Sequence, residues 1–248
     1  MSLLAELLDV VPDGEVESVI VGLHWTAVSV KVEGQRYCGL SSTVSAPHQH
    51  GSGFDVPDAG TLTQRSARDL AELCKSDSPT LASIGTAALN ALLQPQPMSF
   101  EELNAEEIIA QHGAGERVVI VGHFPFIDRI RQIAAHLDVL ENHPRPGDLH
   151  ASQAPHVIPE AKIIAITGMT FVNKTLDDLL ALCRPDAVVV LLGASTPLHP
   201  LMFDHGIDYL CGAKTLQIDP VLRTTAEGAV YRQIAKAGLR LVTAQKPA

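Results

Sequence analysis

Four short β-like apolar runs rich in Val, Ile and Leu, at residues 118–121, 137–140, 163–166 and 187–192, set the pattern of the chain's middle. Helix-length segments separate them, which is the signature of βαβ units around a parallel sheet. Such a sheet binds ligands in the crevice at the carboxyl ends of its strands. The loops falling there are Gly122-His123-Phe124-Pro125, Glu141-Asn142-His143, Thr167-Gly168-Met169-Thr170 and Gly193-Ala194-Ser195-Thr196-Pro197. Crossover helices are expected at 126–136, 175–183 and 200–205, with a short connector at 155–160. A fifth strand at 207–211, helices at 219–225 and 230–237 and an edge strand at 239–242 close the chain.

The first hundred residues follow a different period. Residues 1–11 read as a short amphipathic helix stopped by Pro12-Asp13-Gly14. Residues 16–23, 25–32 and 35–40 are β-branched and partly alternating, with Glu33-Gly34 as a tight turn. Strands this close pair antiparallel, because a parallel return needs a crossover of about a dozen residues. Residues 43–61 keep no period and read as a long loop carrying His48 and His50. Helices are expected at 63–74 and 81–93. The small-sided run Ser83-Ile84-Gly85-Thr86-Ala87-Ala88 implies close packing of the second one on the three strands. Gln94-Pro95-Gln96-Pro97 breaks the chain, and 100–112 reads as an acidic-starting helix. The expected class is α/β: a small βββαα domain at 1–97, then a parallel-sheet domain at 98–248.

Composition narrows the function. Apolar residues at 46% and charged residues at 19% fit an ordinary globular protein of 248 residues. A formal net charge of −10 disfavours nucleic acid, whose phosphates need a basic surface. No apolar run approaches the ~18 residues of a membrane span, and no secretory leader is apparent, so no membrane partner and a cytoplasmic location are expected. The cysteines at 38, 74, 183 and 211 form no CxxC pair and read as buried apolar groups. A small-molecule ligand is the expected partner, and a homo-oligomer is left open.

Taken together, Val121-Gly122-His123-Phe124-Pro125, Ile166-Thr167-Gly168 with Asn173-x-Thr175, Leu192-Gly193-Ala194-Ser195-Thr196-Pro197-Leu198-x-Pro200 and Ser83-Ile84-Gly85-Thr86-Ala87-Ala88-Leu89-Asn90 resemble a bacterial and archaeal family described as "putative heavy-metal chelation". The resemblance spans nearly the whole chain. It implies a Rossmann-like carboxyl-terminal domain preceded by one resembling the amino-terminal domain of enolase, and a role with metals or metal-chelating small molecules. His123, His48 and His50 depart from the usual family pattern.

The candidate ligand-binding residues are Gly122, His123, Glu141, Thr167, Gly168, Thr170, Asn173, Thr175, Gly193, Ser195 and Thr196. Gly122 lacks the later glycines of the dinucleotide fingerprint, so it either shapes a strand-to-helix turn or contacts a nucleoside-like or phosphorylated ligand. Glu141, 19 residues after Gly122, is placed to accept hydrogen bonds from a ribose diol, or is a surface or capping carboxylate. Asn173 and Thr175 either cap a helix or touch ligand. The Gly193–Pro197 loop offers amides and hydroxyls for an anion. His123 and His143 are the candidate metal ligands among eleven histidines, with His48 and His50 behind them. Three functions fit: binding or processing a metal-chelating metabolite, an enzyme using a nucleotide or S-adenosylmethionine, and a non-catalytic regulatory module. The cofactor is correspondingly a transition metal ion or an adenosine-containing molecule.

Overall fold

The structure, a computed structural model, describes residues 2–45, 56–101 and 103–247. It opens with helix α1 (Leu3–Val10), capped by Ser2, whose hydroxyl accepts from the amide of Ala5. Strands β1 (Glu15–Val21), β2 (Trp25–Val32) and β3 (Gln35–Ser42) then form an antiparallel three-stranded sheet in sequence order. Glu33 and Gly34, both at positive φ, make the turn between β2 and β3.

The expected helix at 63–74 is broken. Arg65 and Ser66 are extended, because Ser66 bridges Glu15 and the amide of Ala67 donates to Gly14. Only Ala67–Ala71 is α-helical (α2), flanked by 3₁₀ turns at Leu62–Gln64 and Glu72–Lys75. Helix α3 (Pro79–Leu93) carries Pro at its first turn and Ser78 as its cap, and every residue from Ala82 to Leu93 is buried. Its small side chains have a packing cause. A Cβ on Gly85 would strike the backbone of Leu73 and Cys74, and one on Gly39 would strike Ala87 and Asn90. The helix therefore lies directly on β3, at a distance larger residues do not permit.

Helix α4 (Ala105–Gly113) begins later than the pattern suggests, because Asn104 caps it and accepts from the amide of Glu106. Glu101 before it is extended and bridges Thr243. Strands β4 (Arg117–Val121), β5 (His136–Glu141), β6 (Leu149–His150), β7 (Ile163–Thr167), β8 (Val188–Leu192), β9 (Tyr209–Thr215) and β10 (Leu239–Gln245) form a seven-stranded sheet ordered β10-β9-β8-β7-β4-β5-β6. All pairings are parallel except β9 with β10. Helices α5 (Ile127–Ile133), α6 (Ala154–Val157), α7 (Met169–Val172), α8 (Leu176–Leu180), α9 (Leu201–Asp204), α10 (Ile218–Ala226) and α11 (Tyr231–Lys236) fill the connections. The connector expected at 155–160 is thus helical, with α6 running into a 3₁₀ turn. The two-residue β6 carries no periodic signal.

The chain enters this sheet at β4, moves outward through β5 and β6, then returns to β7 on the other side of β4. This reversal is the doubly-wound switch point, so the crevice belongs above β4 and β7. One face of the sheet packs Ile108, Ile109 and Ile130 of α4 and α5 on Val118 and Ile120. The other joins α1, α3 and the small sheet in one continuous apolar cluster. Fully buried leucines and isoleucines in these cores, such as Leu7, Leu89 and Ile120, each contribute roughly 1.5–3 kcal/mol. The carboxyl-terminal helices return to the small sheet: Val221 and Ile234 pack on Ala27, Cys38 and Leu40. Among the described residues the two sheets share no strand pairing, yet they share this packing.

Candidate functional site

A cleft of about 570 Å³ opens at the carboxyl ends of β4, β5, β7 and β8, within the usual range of ligand pockets. Trp25 and Ser42 of the small sheet form part of its lining, so it lies between the two sheets. Its wall is largely apolar, with Val121, Phe124, Leu140, Met169 and Leu179 alongside Trp25.

Of the residues expected to bind ligand, Gly122, His123, Glu141, Thr167, Gly168, Thr170, Asn173, Thr175, Gly193 and Ser195 all line this cleft. Three glycines let the strand ends converge. Gly122 has φ +103 and its amide donates to Leu140, which closes β4 tightly on β5. Gly168 has ordinary φ, but a Cβ there would lie 2.6 Å from the amide nitrogen of Thr196. Gly193, at φ +117, turns the chain out of β8. Thr196 is not among the lining residues. It is 2% exposed, packed behind Gly168, and its hydroxyl has no hydrogen-bond partner among the described residues.

The hydroxyls differ in what they have left to offer. Thr170 donates to the carbonyl of Thr167 at 2.7 Å, and the hydroxyl of Thr167 accepts from the amide of Met169 at 3.3 Å. Ser195 is committed to the other sheet: its Oγ accepts from the amide of Ser42 at 2.8 Å and lies 3.3 Å from the Ser42 hydroxyl. Asn90, on α3, strengthens that junction by donating from Nδ2 to the carbonyls of Leu40 at 2.9 Å and Ser195 at 3.1 Å. Thr175 stands at the N-cap position of α8 and Asn173 at the C-cap position of α7, but the Thr175 side chain makes no cap hydrogen bond. Instead Thr175 donates to Asn173 Oδ1 at 2.7 Å, across Lys174 at φ +59, and both residues stay exposed at the cleft rim.

Glu141 ends β5, half-buried, and its Oε2 accepts from the amide of Asn142 at 3.2 Å. His123 lies 3.3 Å through Nδ1 from Oδ2 of Asp148, a carboxylate whose side chain is 2% exposed. The same oxygen accepts from the amide of Arg145 at 3.1 Å. A carboxylate only accepts, so Nδ1 is the donor in this contact, and in the neutral ring Nε2 is then the atom left with a lone pair. Asp148 was not visible in the sequence pattern; it stands just before β6, 25 residues from His123.

The parallel pairing of β4 with β5 makes the His123 and His143 loops neighbours. His143 is nevertheless exposed and is not among the lining residues. Among the described residues no group of three or more His, Cys, Asp or Glu side chains is placed to hold a metal ion. His48 and His50 fall outside the described residues. The four thiols are free, and burial pushes those of Cys38 and Cys74 up to about 12 and those of Cys183 and Cys211 up to about 11. No helix among the described residues is long and apolar enough to cross a membrane.

Comparison with known proteins agrees with this architecture. A crystal structure of a DUF364-family protein of unknown function from Desulfitobacterium hafniense superposes with a TM-score of 0.84 at 26% identity, covering 98% of each chain. One from Pyrococcus horikoshii, also of unknown function, gives 0.82 at 19% identity, over 98% of this chain and 97% of that one, a likeness of fold. The uncharacterized protein MJ0500 of Methanocaldococcus jannaschii is 22% identical over 209 residues, 81% of this chain and 78% of its own. Residues 4–93 match the DUF4213 family model and residues 104–243 the DUF364 model, both described as "Putative heavy-metal chelation". With more than half its length in the second match, the chain belongs to the DUF364 family.

Proposed function

We propose that the cleft between the two sheets binds a small metabolite that itself chelates a metal ion, with His123 supplying one further donor to that ion. The observation that carries this reading is the pairing of His123 with buried Asp148. Carboxylates commonly hold the far nitrogen of a metal-ligating histidine in this way, fixing its tautomer and its aim. The described residues assemble no three-residue metal cluster, and burial raises the pKa of the Cys38 and Cys74 thiols, which favours a metabolite that brings most of the donors itself. The apolar wall suits a flat organic body, and the polar rim of Asn173 and Thr175 suits its hydrophilic edge. A pre-formed cleft favours ligand handling over a regulatory module, which calls for an exposed apolar patch. On this reading the chain divides at about residue 97, and both parts contribute to the cleft.

The test uses nickel alone and nickel pre-mixed with picolinate, a flat aromatic chelator. The picolinate complex should bind more tightly than the bare ion, and His123→Ala should abolish the difference while exposed His143 tolerates replacement by Ala. Equal binding of both forms, or an unaffected His123→Ala protein, would sink the proposal.

A further inference from the structure

The geometry points to a second subsite in the same cleft, at the ends of β4 and β5, that takes a phosphate-free ribonucleoside of the adenosine type. It does not depend on the metal reading, because none of its groups is needed to hold an ion.

Glu141 is the anchor. It ends β5, the second strand of the parallel series, directly beside β4, the first. A carboxylate there accepts both hydroxyls of a ribose diol in doubly-wound folds. Oε2 of Glu141 has one weak bond, to its own neighbour's amide at 3.2 Å, and Oε1 has none to the chain among the described residues. The side chain is half-buried on the cleft wall, where a charged acceptor bonds a neutral hydroxyl more strongly than in open water. Phe124, Leu140, Ala151, Ala154 and Pro155 line the same cleft. Adenine, which has no carbonyl group, is the common base such a wall desolvates at least cost.

Three observations exclude phosphate from this ligand. Helix α5, which follows β4, has only seven residues, and its cap residue is Phe126. Phe124 and Phe126 stack 5.2 Å apart and 9° from parallel at its entry, where a dinucleotide-binding turn would present glycine backbone. The charged side chains lining the cleft are Glu141 and Asp178, with no Lys or Arg beside them, and residues 46–55, outside the described set, contain neither. Two carboxylates without a cation repel a phosphate and favour a ligand whose far end is neutral or cationic. An adenosyl sulfonium compound has that form.

The experiment is calorimetry on metal-free protein with adenosine, 2′-deoxyadenosine and adenosine monophosphate. Adenosine should bind, and the monophosphate should bind at least about 10-fold more weakly. Glu141→Ala should weaken adenosine roughly 10- to 100-fold, with thermal melting showing the fold intact. Glu141→Gln, which keeps the shape and loses the charge, should fall between. The 2′-deoxy compound should bind wild type roughly 10-fold more weakly than adenosine, and bind Glu141→Ala no more weakly than adenosine does. No adenosine binding, a monophosphate that binds equally well, or a deoxy penalty unchanged in Glu141→Ala would each overturn the subsite. Any of these results with nickel–picolinate binding retained would overturn the subsite alone.

Discussion

His123 and Asp148 form a pair in which a nearly inaccessible carboxylate fixes an imidazole on the wall of an open cleft, with 3.3 Å between Nδ1 and Oδ2. The pair exists because β6 adds to the edge of β5 and brings residue 148 back beside the end of β4. If Asp148 sets the tautomer, Asp148→Asn should weaken nickel–picolinate binding roughly 10- to 100-fold without unfolding the protein. Nitrogen chemical shifts of His123 should also show Nδ1 as the protonated nitrogen in wild type and lose that preference in the variant. An unchanged tautomer would show that Asp148 does not orient the ring.

Gly168 and Gly193 are both irreplaceable, for different reasons. Gly168→Ala should cost roughly 1–3 kcal/mol through overpacking against the Thr196 amide. Adding Thr196→Ala removes the hydroxyl that a Cβ would meet at 2.7 Å but leaves the backbone nitrogen at 2.6 Å, so it should not restore full stability. Gly193→Ala meets nothing closer than 3.8 Å, yet should cost roughly 1–3 kcal/mol from its φ of +117 alone. Denaturant midpoints of the single and double variants distinguish the two causes.

Asn90 donates to one carbonyl in each sheet region, Leu40 and Ser195. Asn90→Ala leaves both without that donor and should destabilise the protein by roughly 2–4 kcal/mol. Asn90→Asp should do no better, since a carboxylate faces two carbonyl oxygens. Urea unfolding checks both variants. A loss below about 0.5 kcal/mol, the size expected of an ordinary surface change, would deny the residue its linking role.

Burial holds the His199 imidazole below its ordinary range. Its Nδ1 also accepts from the amide of Leu201 at 3.2 Å, a bond that protonation there would break. As pH falls below about 6.5, the unfolded chain takes up this proton before the folded one does. The unfolded state then binds more protons, so stability falls; the contribution is complete above that pH and is lost below it. Melting temperature should drop between pH 7.5 and 5.5, and His199→Gln should reduce the drop.

The thiols give a check on the donor set. With all four held well above the ordinary thiol range by burial, the folded protein should react slowly with Ellman's reagent at pH 8. Half-buried Cys183 should react first, and nickel should not change its rate. Rapid protection by nickel would add a thiolate to the metal's ligands.

Strands β4, β7 and β8 were legible because their central residues are buried and they read as near-continuous apolar runs, as Ile163–Thr167 does, and β5 reads so apart from Asp138. The glycines and small polar residues at their ends were legible as loops, and ten of the expected residues meet in one cleft. What stayed hidden depended on pairing between distant segments. Leu149–His150 is too short to show a period, so neither β6 nor the Asp148 it delivers could be anticipated. Ser66 reads as helical until its bridge to Glu15 is known. Trp25 and Ser42 look like ordinary strand residues, and only the packing of one sheet over the other turns them into cleft walls.

The bond from the Ser42 amide to Ser195 joins residues 153 positions apart, and with it one wall of the cleft is closed. During synthesis the first three strands emerge long before their counterpart exists, so the nascent chain has no site to fill. A ligand of this cleft would therefore bind finished molecules alone. Present at 100 times its dissociation constant, it would add roughly 2.7 kcal/mol to the folded state and nothing to the partial one. On the proposed function, supply of such a ligand would lengthen the survival of finished copies against proteolysis.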